Sequence, residues 1–232
     1  MNQIQKGWKI AVLHTSMAVL QIIGDKIKEE LPDSRIYNLI DDQMLSDVME
    51  NGGATKETKR RLFSLLQAAE TIRADIILNA CSSVGGCFDE ISSLTSIPCV
   101  RIDQAMAEEA VESGKRIAVY GSVSTTMIPS CQLIERIAAE RGKEVEVTPY
   151  LIEDAFRVLT EDKDKKRHNR MVTDKIYKTH ERYDVLVLAQ ASMSVVIPEL
   201  SGIDKKILYS TDSGIRKLKE MLENGDRVLS VY

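Results

Sequence analysis

The residues best able to do chemistry sit together at one point in the chain. Cys81 is followed by Ser82 and Ser83, and then by Gly85 and Gly86. A thiol can serve as a nucleophile or a proton carrier once it ionises. Two hydroxyls and a glycine-rich backbone beside it can cradle an anion. The competing reading is packing, because free cysteines are commonly small buried hydrophobes. Other acid–base candidates are few. His14 ends an apolar run, and histidine is the usual proton shuttle near neutral pH. His168 and His180 fall in a highly charged stretch and read as solvated. Asp103 and Asp212 each follow an apolar run and read as helix caps, free also to face an ammonium group. Cys87, Cys99 and Cys131 read as packing residues. No CxxC occurs and no histidine lies near a cysteine in sequence, so no metal site is expected.

The elements that must position Cys81 follow from hydrophobic patterning. Residues 75–80 form a short apolar run with β-branched members, the pattern of a buried strand. Cys81 then falls at the carboxyl end of that strand, where open α/β sheets bind ligands. Residues 9–14 predict an earlier strand that runs into Thr15 and Ser16, and Ser16 is placed to cap a helix over 17–31. Residues 35–40 predict a second strand, 41–50 a short helix and 56–73 a long amphipathic one. Residues 98–102 predict a fourth strand, and a helix follows to Gly114.

The pattern then restarts. Arg116-Ile117-Ala118-Val119-Tyr120 resembles Lys9-Ile10-Ala11-Val12-Leu13, and both lead through hydroxyl residues into a helix. Residues 144–150 match the second strand and 184–192 the cysteine strand. Residues 206–210 match the fourth strand, and a closing helix spans 214–224. Between them, 154–182 predicts one long, charged helical region. Ordered recurrence of four strands with crossover helices predicts two similar parallel α/β halves with a ligand cleft between them. The first half takes residues 1–103 plus 213–232 and the second takes 104–212.

Composition narrows the function. The chain has 232 residues, 44% hydrophobic, enough for a sizeable core in one or two domains. Its net charge of -4 argues against a nucleic-acid surface. The dense charge run at 161–170 mixes both signs and reads as a solvated helix face. No apolar run approaches a membrane span, and residues 1–9 lack a signal-peptide core. A cytoplasmic protein with reduced thiols is expected. Neither a dinucleotide-binding glycine fingerprint nor a P-loop is present, and the hydroxyl-rich turn at 121–126 lacks the P-loop lysine.

Ala80-Cys81-Ser82-Ser83, Gly121-Ser122-Val123-Ser124-Thr125-Thr126 and Leu188-Ala189-Gln190-Ala191-Ser192-Met193, in that order on two similar halves, resemble the aspartate/glutamate/hydantoin racemase superfamily. The likeness covers nearly the whole chain. It implies an α/β fold of two flavodoxin-like halves, each with a parallel four-stranded sheet, related by a pseudo-twofold axis. It also implies a cofactor-independent site in the cleft, where a cysteine from each half flanks the substrate carbon. One thiolate removes the α-proton and the other thiol returns a proton to the opposite face, while hydroxyls and backbone N–H groups hold the carboxylate. Carried onto this sequence, Cys81 fits the first cysteine and Ser82 and Ser83 its carboxylate-binding neighbours. Ser124, Thr125 and Thr126 fit the hydroxyl cluster of the second half, with Thr15 and Ser16 at the matching turn of the first.

The second cysteine is absent. Alignment on the serine pair sets Ala191 opposite Cys81 and Ser192 opposite Ser82, whereas alignment on Asp75 and Asp184 sets Gln190 there. Ala191 is the expected position. Neither alanine nor glutamine can shuttle a proton at neutral pH. The expected activity is racemisation or isomerisation of a small carboxylic acid, such as aspartate or glutamate, by thiol chemistry at Cys81. The alternatives are a single-thiol decarboxylase, a maleate-type cis–trans isomerase, or an inactive relative that binds a small anion. The expected partner is the carboxylate substrate, with no nucleic acid, membrane, metal or cofactor, and a homodimer is the default assembly.

Overall fold

A computed structural model describes residues 7–229; residues 1–6 and 230–232, assigned above to the first half, lie outside it. In chain order the first half contains β1 (Lys9–His14), α1 (Leu20–Glu30), β2 (Arg35–Ile40), α2 (Met44–Glu50), α3 (Lys56–Ile72), β3 (Ile76–Asn79), α4 (Gly85–Ser92) and β4 (Cys99–Arg101). After α5 (Gln104–Ser113) come β5 (Arg116–Gly121), α6 (Ser124–Glu140), β6 (Glu146–Leu151), α7 (Ala155–Thr160), α8 (Lys165–Thr179), β7 (Val185–Leu188), β8 (Lys206–Tyr209) and α9 (Ser210–Leu229). The strands form two four-stranded sheets, β2-β1-β3-β4 and β6-β5-β7-β8, with every pairing parallel. The matching strand orders make this an α/β fold of two similar halves.

The sequence dictates the central strands directly. Every residue of β3 and β7 is buried, because helices cover both faces of a parallel sheet. The chain also exchanges helices between its halves. Ile215, Leu218 and Leu222 of α9 pack in the first core with Ile10, Val12, Ile76 and Leu78. Met106, Ala107, Ala110 and Val111 of α5 pack in the second with Ile117, Val119, Val185 and Val187. The end of the chain thereby clamps the sheet formed by its beginning.

Two expectations change. The helix foreseen over 154–182 is broken into α7 and α8, and Lys163, between them, takes a left-handed conformation (φ 55°) that interrupts the ladder. His168 is fully buried, aligned on α8 with buried Val172 and Ile176, and only its Nδ1 finds a partner, Asn169. The predicted solvated imidazole is instead part of the packing face. Among the described residues, no helix is long and apolar enough to cross a membrane.

Gly214 fixes how closely α9 approaches the first sheet. A Cβ there would overlap the backbone carbonyl of Ile102, which cannot swing aside as a side chain can. Gly214→Ala is expected to destabilise the protein by about 1–3 kcal/mol, the usual cost of overpacking. A urea melt should show a lower midpoint at unchanged slope; an unaltered midpoint would show that α9 has slack.

Candidate functional site

Strand ends from both halves converge on one cavity of about 60 Å³. One water needs roughly 10–15 Å³ of such space, so the room suits a handful of non-hydrogen atoms. His14, Thr15, Ser16, Cys81, Ser82 and Ser83 line it from the first half. Thr126, Phe156, Gln190, Ala191, Ser192 and Ser210 line it from beyond residue 103.

Cys81 is set by its immediate neighbours. It is extended (φ -130°, ψ 113°) and precedes a 3₁₀ turn, Ser82–Val84, that continues into α4. The buried Asn79 amide brackets its peptide, donating to the Cys81 carbonyl at 3.0 Å and accepting from its N–H at 3.4 Å. The thiol itself faces the Thr15 hydroxyl, the N–H groups of Ser83 and Val84, and the Ser83 hydroxyl. Burial pushes the thiol above its usual range, and those donors oppose the rise only in part. Ser83 Oγ also lies 2.9 Å from Thr126 Oγ1, a hydrogen bond that joins the two halves across the cavity floor.

The start of α4 is held from below. A Cβ at Gly85 would overlap the guanidinium of Arg101. Arg101 is buried and donates to both Asp103 carboxylate oxygens, at 3.0 and 2.9 Å, and to Asp89 at 2.7 Å. Asp103 makes no side-chain cap on α5, contrary to the sequence expectation; the guanidinium occupies both of its oxygens.

His14 is almost wholly buried, with Nε2 3.0 Å from Asn38 Oδ1 and no partner at Nδ1. Burial lowers its pKa more than the Asn38 bond raises it, so it stays neutral at pH 7. Ser16 lines the cavity, but its hydroxyl also accepts from the Ala18 N–H at 3.2 Å. Ser192 is buried in the lining. The second-half hydroxyl cluster contracts to Thr126. Ser124 opens α6 from an exposed position, and Thr125 is buried without a partner for Oγ1 and does not line the cavity.

Strand register decides the position opposite Cys81. In the first half Leu13 of β1 pairs with Asn79 of β3; in the second, Tyr120 of β5 pairs with Leu188 of β7. Two residues beyond these strand ends stand Cys81 and Gln190. Both are extended (φ -130° and -129°) and both precede a 3₁₀ segment. Gln190 therefore occupies the counterpart of the cysteine position. Ala191, favoured from the serine alignment, is the counterpart of Ser82 and packs in the first-half core with Ile10 and Val12. Likewise Thr15 and Ser122 each follow the opening strand of their half. Thr15 faces the Cys81 thiol, and Ser122 donates to Gln190 Oε1 from both its N–H and its hydroxyl, the latter at 2.9 Å.

Sequence reasoning missed Asn79, Leu45 and Phe156. An asparagine closing an otherwise apolar strand was a usable signal for Asn79. Leu45 and Phe156 arrive on α2 and α7 by tertiary packing and carry no local mark. The remaining cysteines are packing groups: Cys87 and Cys99 lie against one first-half cluster and Cys131 against a second-half one.

Residues 10–218 match a family model described as Asp/Glu/Hydantoin racemase. No curated protein matches the sequence. Among solved structures, glutamate racemase isoform RacE1 from Bacillus anthracis is similar with a TM-score of 0.72 at 19% identity, covering 95% of this chain and 84% of that one. An aspartate racemase from Picrophilus torridus gives 0.70 at 14%, covering 94% and 95%. An allantoin racemase from Klebsiella pneumoniae gives 0.72 at 14%, covering 94% and 89%. At these identities the structures share the fold.

The raised Cys81 thiol has a kinetic signature. Ordinary thiols ionise near ~8.5 and alkylate as thiolates. Iodoacetamide labelling of Cys81, located by mass spectrometry, should be slow at neutral pH and still be climbing above pH 9. Thr15→Val, which removes one opposing donor, should push the profile higher still. A rate that levels off near pH 7 would contradict this environment.

Proposed function

The chain belongs to the Asp/Glu/hydantoin racemase family, and on that premise we propose that its cleft performs thiol acid–base chemistry at Cys81 on a small carboxylic acid. The observation that carries the reading is the thiol's setting: Cys81 opens a 3₁₀ turn at the end of β3, in a cavity that residues from both halves close. Family membership supports a racemase or isomerase. The choice of an amino acid such as aspartate or glutamate as substrate is our proposal.

In this reading the substrate carboxylate sits against the hydroxyls of Ser82, Ser83 and Thr126 and the N–H groups that follow Cys81. Removing a proton from the neighbouring carbon places charge on the carboxylate oxygens. Donors already aimed at that position stabilise the charge without reorganising. The cation needed to draw the thiol down is not among the groups facing it. The chemistry thus relies on hydroxyl and backbone donors to sustain the thiolate.

A second reading is favoured by Gln190 in the counterpart position. A single thiol can protonate the carbanion left when a carbon–carbon bond breaks and carbon dioxide departs. It can also add as thiolate to an alkene carbon, permit rotation, and leave again, which is cis–trans isomerisation. A thiol held protonated near neutral pH suits the first of these. A relative that binds an anion without turnover completes the alternatives.

Proton NMR in D₂O with D- and L-aspartate, D- and L-glutamate, malate, maleate and arylmalonate separates them. Deuterium on the α-carbon of recovered substrate identifies reversible proton transfer, whereas loss of maleate or arylmalonate signal identifies the single-thiol reactions. Cys81→Ala should lower whichever activity appears by on the order of 10²–10⁴, the usual contribution of a positioned acid–base group. Full turnover in that variant would remove Cys81 from the chemistry.

A further inference from the structure

We propose that Gln190 is a substrate-binding residue: an amide donor aimed into the cleft on the side opposite Cys81, which holds an oxygen of a doubly functionalised acid and makes proton transfer one-sided. This rests on the Cys81 chemistry proposed above and takes its single-thiol branch, because proton transfer on one face alone cannot racemise. It concerns the position at which the second half carries no thiol.

Three observations carry it. The register of β5 with β7 places Gln190 as the counterpart of Cys81, with the same extended backbone ahead of a 3₁₀ segment. The orientation of the amide is fixed chemically, because the Ser122 backbone N–H can only donate and therefore marks the atom it meets as Oε1. The Ser122 hydroxyl donates to the same oxygen. With Oε1 occupied twice, the Nε2 group is left with two donors and no partner among the described residues. Gln190 is partly exposed and lines the cavity that Cys81 also lines. A donor held rigidly by its other end costs little entropy to use.

The consequence is chemical. An amide cannot give or take a proton at neutral pH, but it can hold a carboxylate or carbonyl oxygen. The matching substrate carries two oxygen-bearing groups about one carbon, one toward Ser83 and Thr126 and one toward Gln190. Cys81 then removes or delivers a proton on one face alone, and the configuration at that carbon is retained.

Malonate is a suitable probe, followed by titration calorimetry with the wild-type protein and Gln190→Glu. Glutamate in this position keeps one oxygen on both Ser122 donors, so thermal melting should not change, while its second oxygen replaces the donor with a negative charge. Malonate affinity should fall roughly tenfold or more, the scale of a lost charge-assisted hydrogen bond. Equal affinity in both proteins overturns the role of Gln190 and leaves Cys81 chemistry standing. Failure of the wild type to bind malonate at millimolar concentration overturns the two-point site, and the D₂O assay on Cys81→Ala then decides the Cys81 reading separately. Stereochemistry gives an independent measure. Any substrate that exchanges its α-hydrogen in D₂O should do so with retention, and Gln190→Cys should introduce inversion. Inversion by the wild type would overturn the one-sided transfer.

Discussion

The buried pair between Arg101 and Asp103 is the constraint on which the site depends. Arg101 leaves β4 beneath the first turn of α4, gives two hydrogen bonds to Asp103 and a third to Asp89. Its guanidinium fills the space above which only a glycine, Gly85, can start the helix. Burying both charges is costly, and such pairs add little net stability compared with apolar packing. What this one supplies is position. It fixes where α4 begins, hence where the Ser82–Val84 turn lies, and hence where Cys81 meets the cavity. Removing Arg101 would leave the Asp103 charge buried alone, at a cost of about 3–5 kcal/mol, whereas removing Asp103 would leave Arg101 with Asp89 as its remaining partner.

The second half repeats this backbone without repeating its chemistry. Thr15 and Ser122 hold equivalent places after their strands, and each turns its polar group on the residue two places beyond the end of β3 or β7. In one half that residue is a thiol and in the other an amide. The two halves also lock onto each other at the cavity floor through Ser83 and Thr126 and through Ala191, which packs into the first core. The cavity is therefore a product of the interface. Neither half encloses it alone, and its small volume matches a small acid.

Most of the fold was legible because buried parallel strands must be continuously apolar. Ile76 to Leu78 and Val185 to Leu188 admit few other readings, and their order gave away the repeat. Register was harder. Matching hydroxyls drew Ala191 opposite Cys81, yet a serine is a weak marker, whereas hydrogen bonding between strands leaves no such freedom and selects Gln190. Ser124 misled for a related reason: it opens a helix whose 3.6-residue turn carries Thr126 inward and leaves Ser124 in solvent. His168 could have been placed, since it shares a four-residue spacing with Val172 and Ile176. Asp103 could also have been read as the partner of Arg101, two residues before it. The contributions of Leu45 and Phe156 come only from packing between distant elements.

The central claim is that one small acid lies between Cys81 and Gln190. A crystal structure of the protein grown with malonate tests it most directly. The account predicts one carboxylate on Ser83, Thr126 and the N–H groups after Cys81, the other on Gln190 Nε2, and the methylene carbon against the Cys81 sulfur. Malonate bound elsewhere, or Gln190 Nε2 turned onto a protein acceptor with the cleft holding only water, would contradict it.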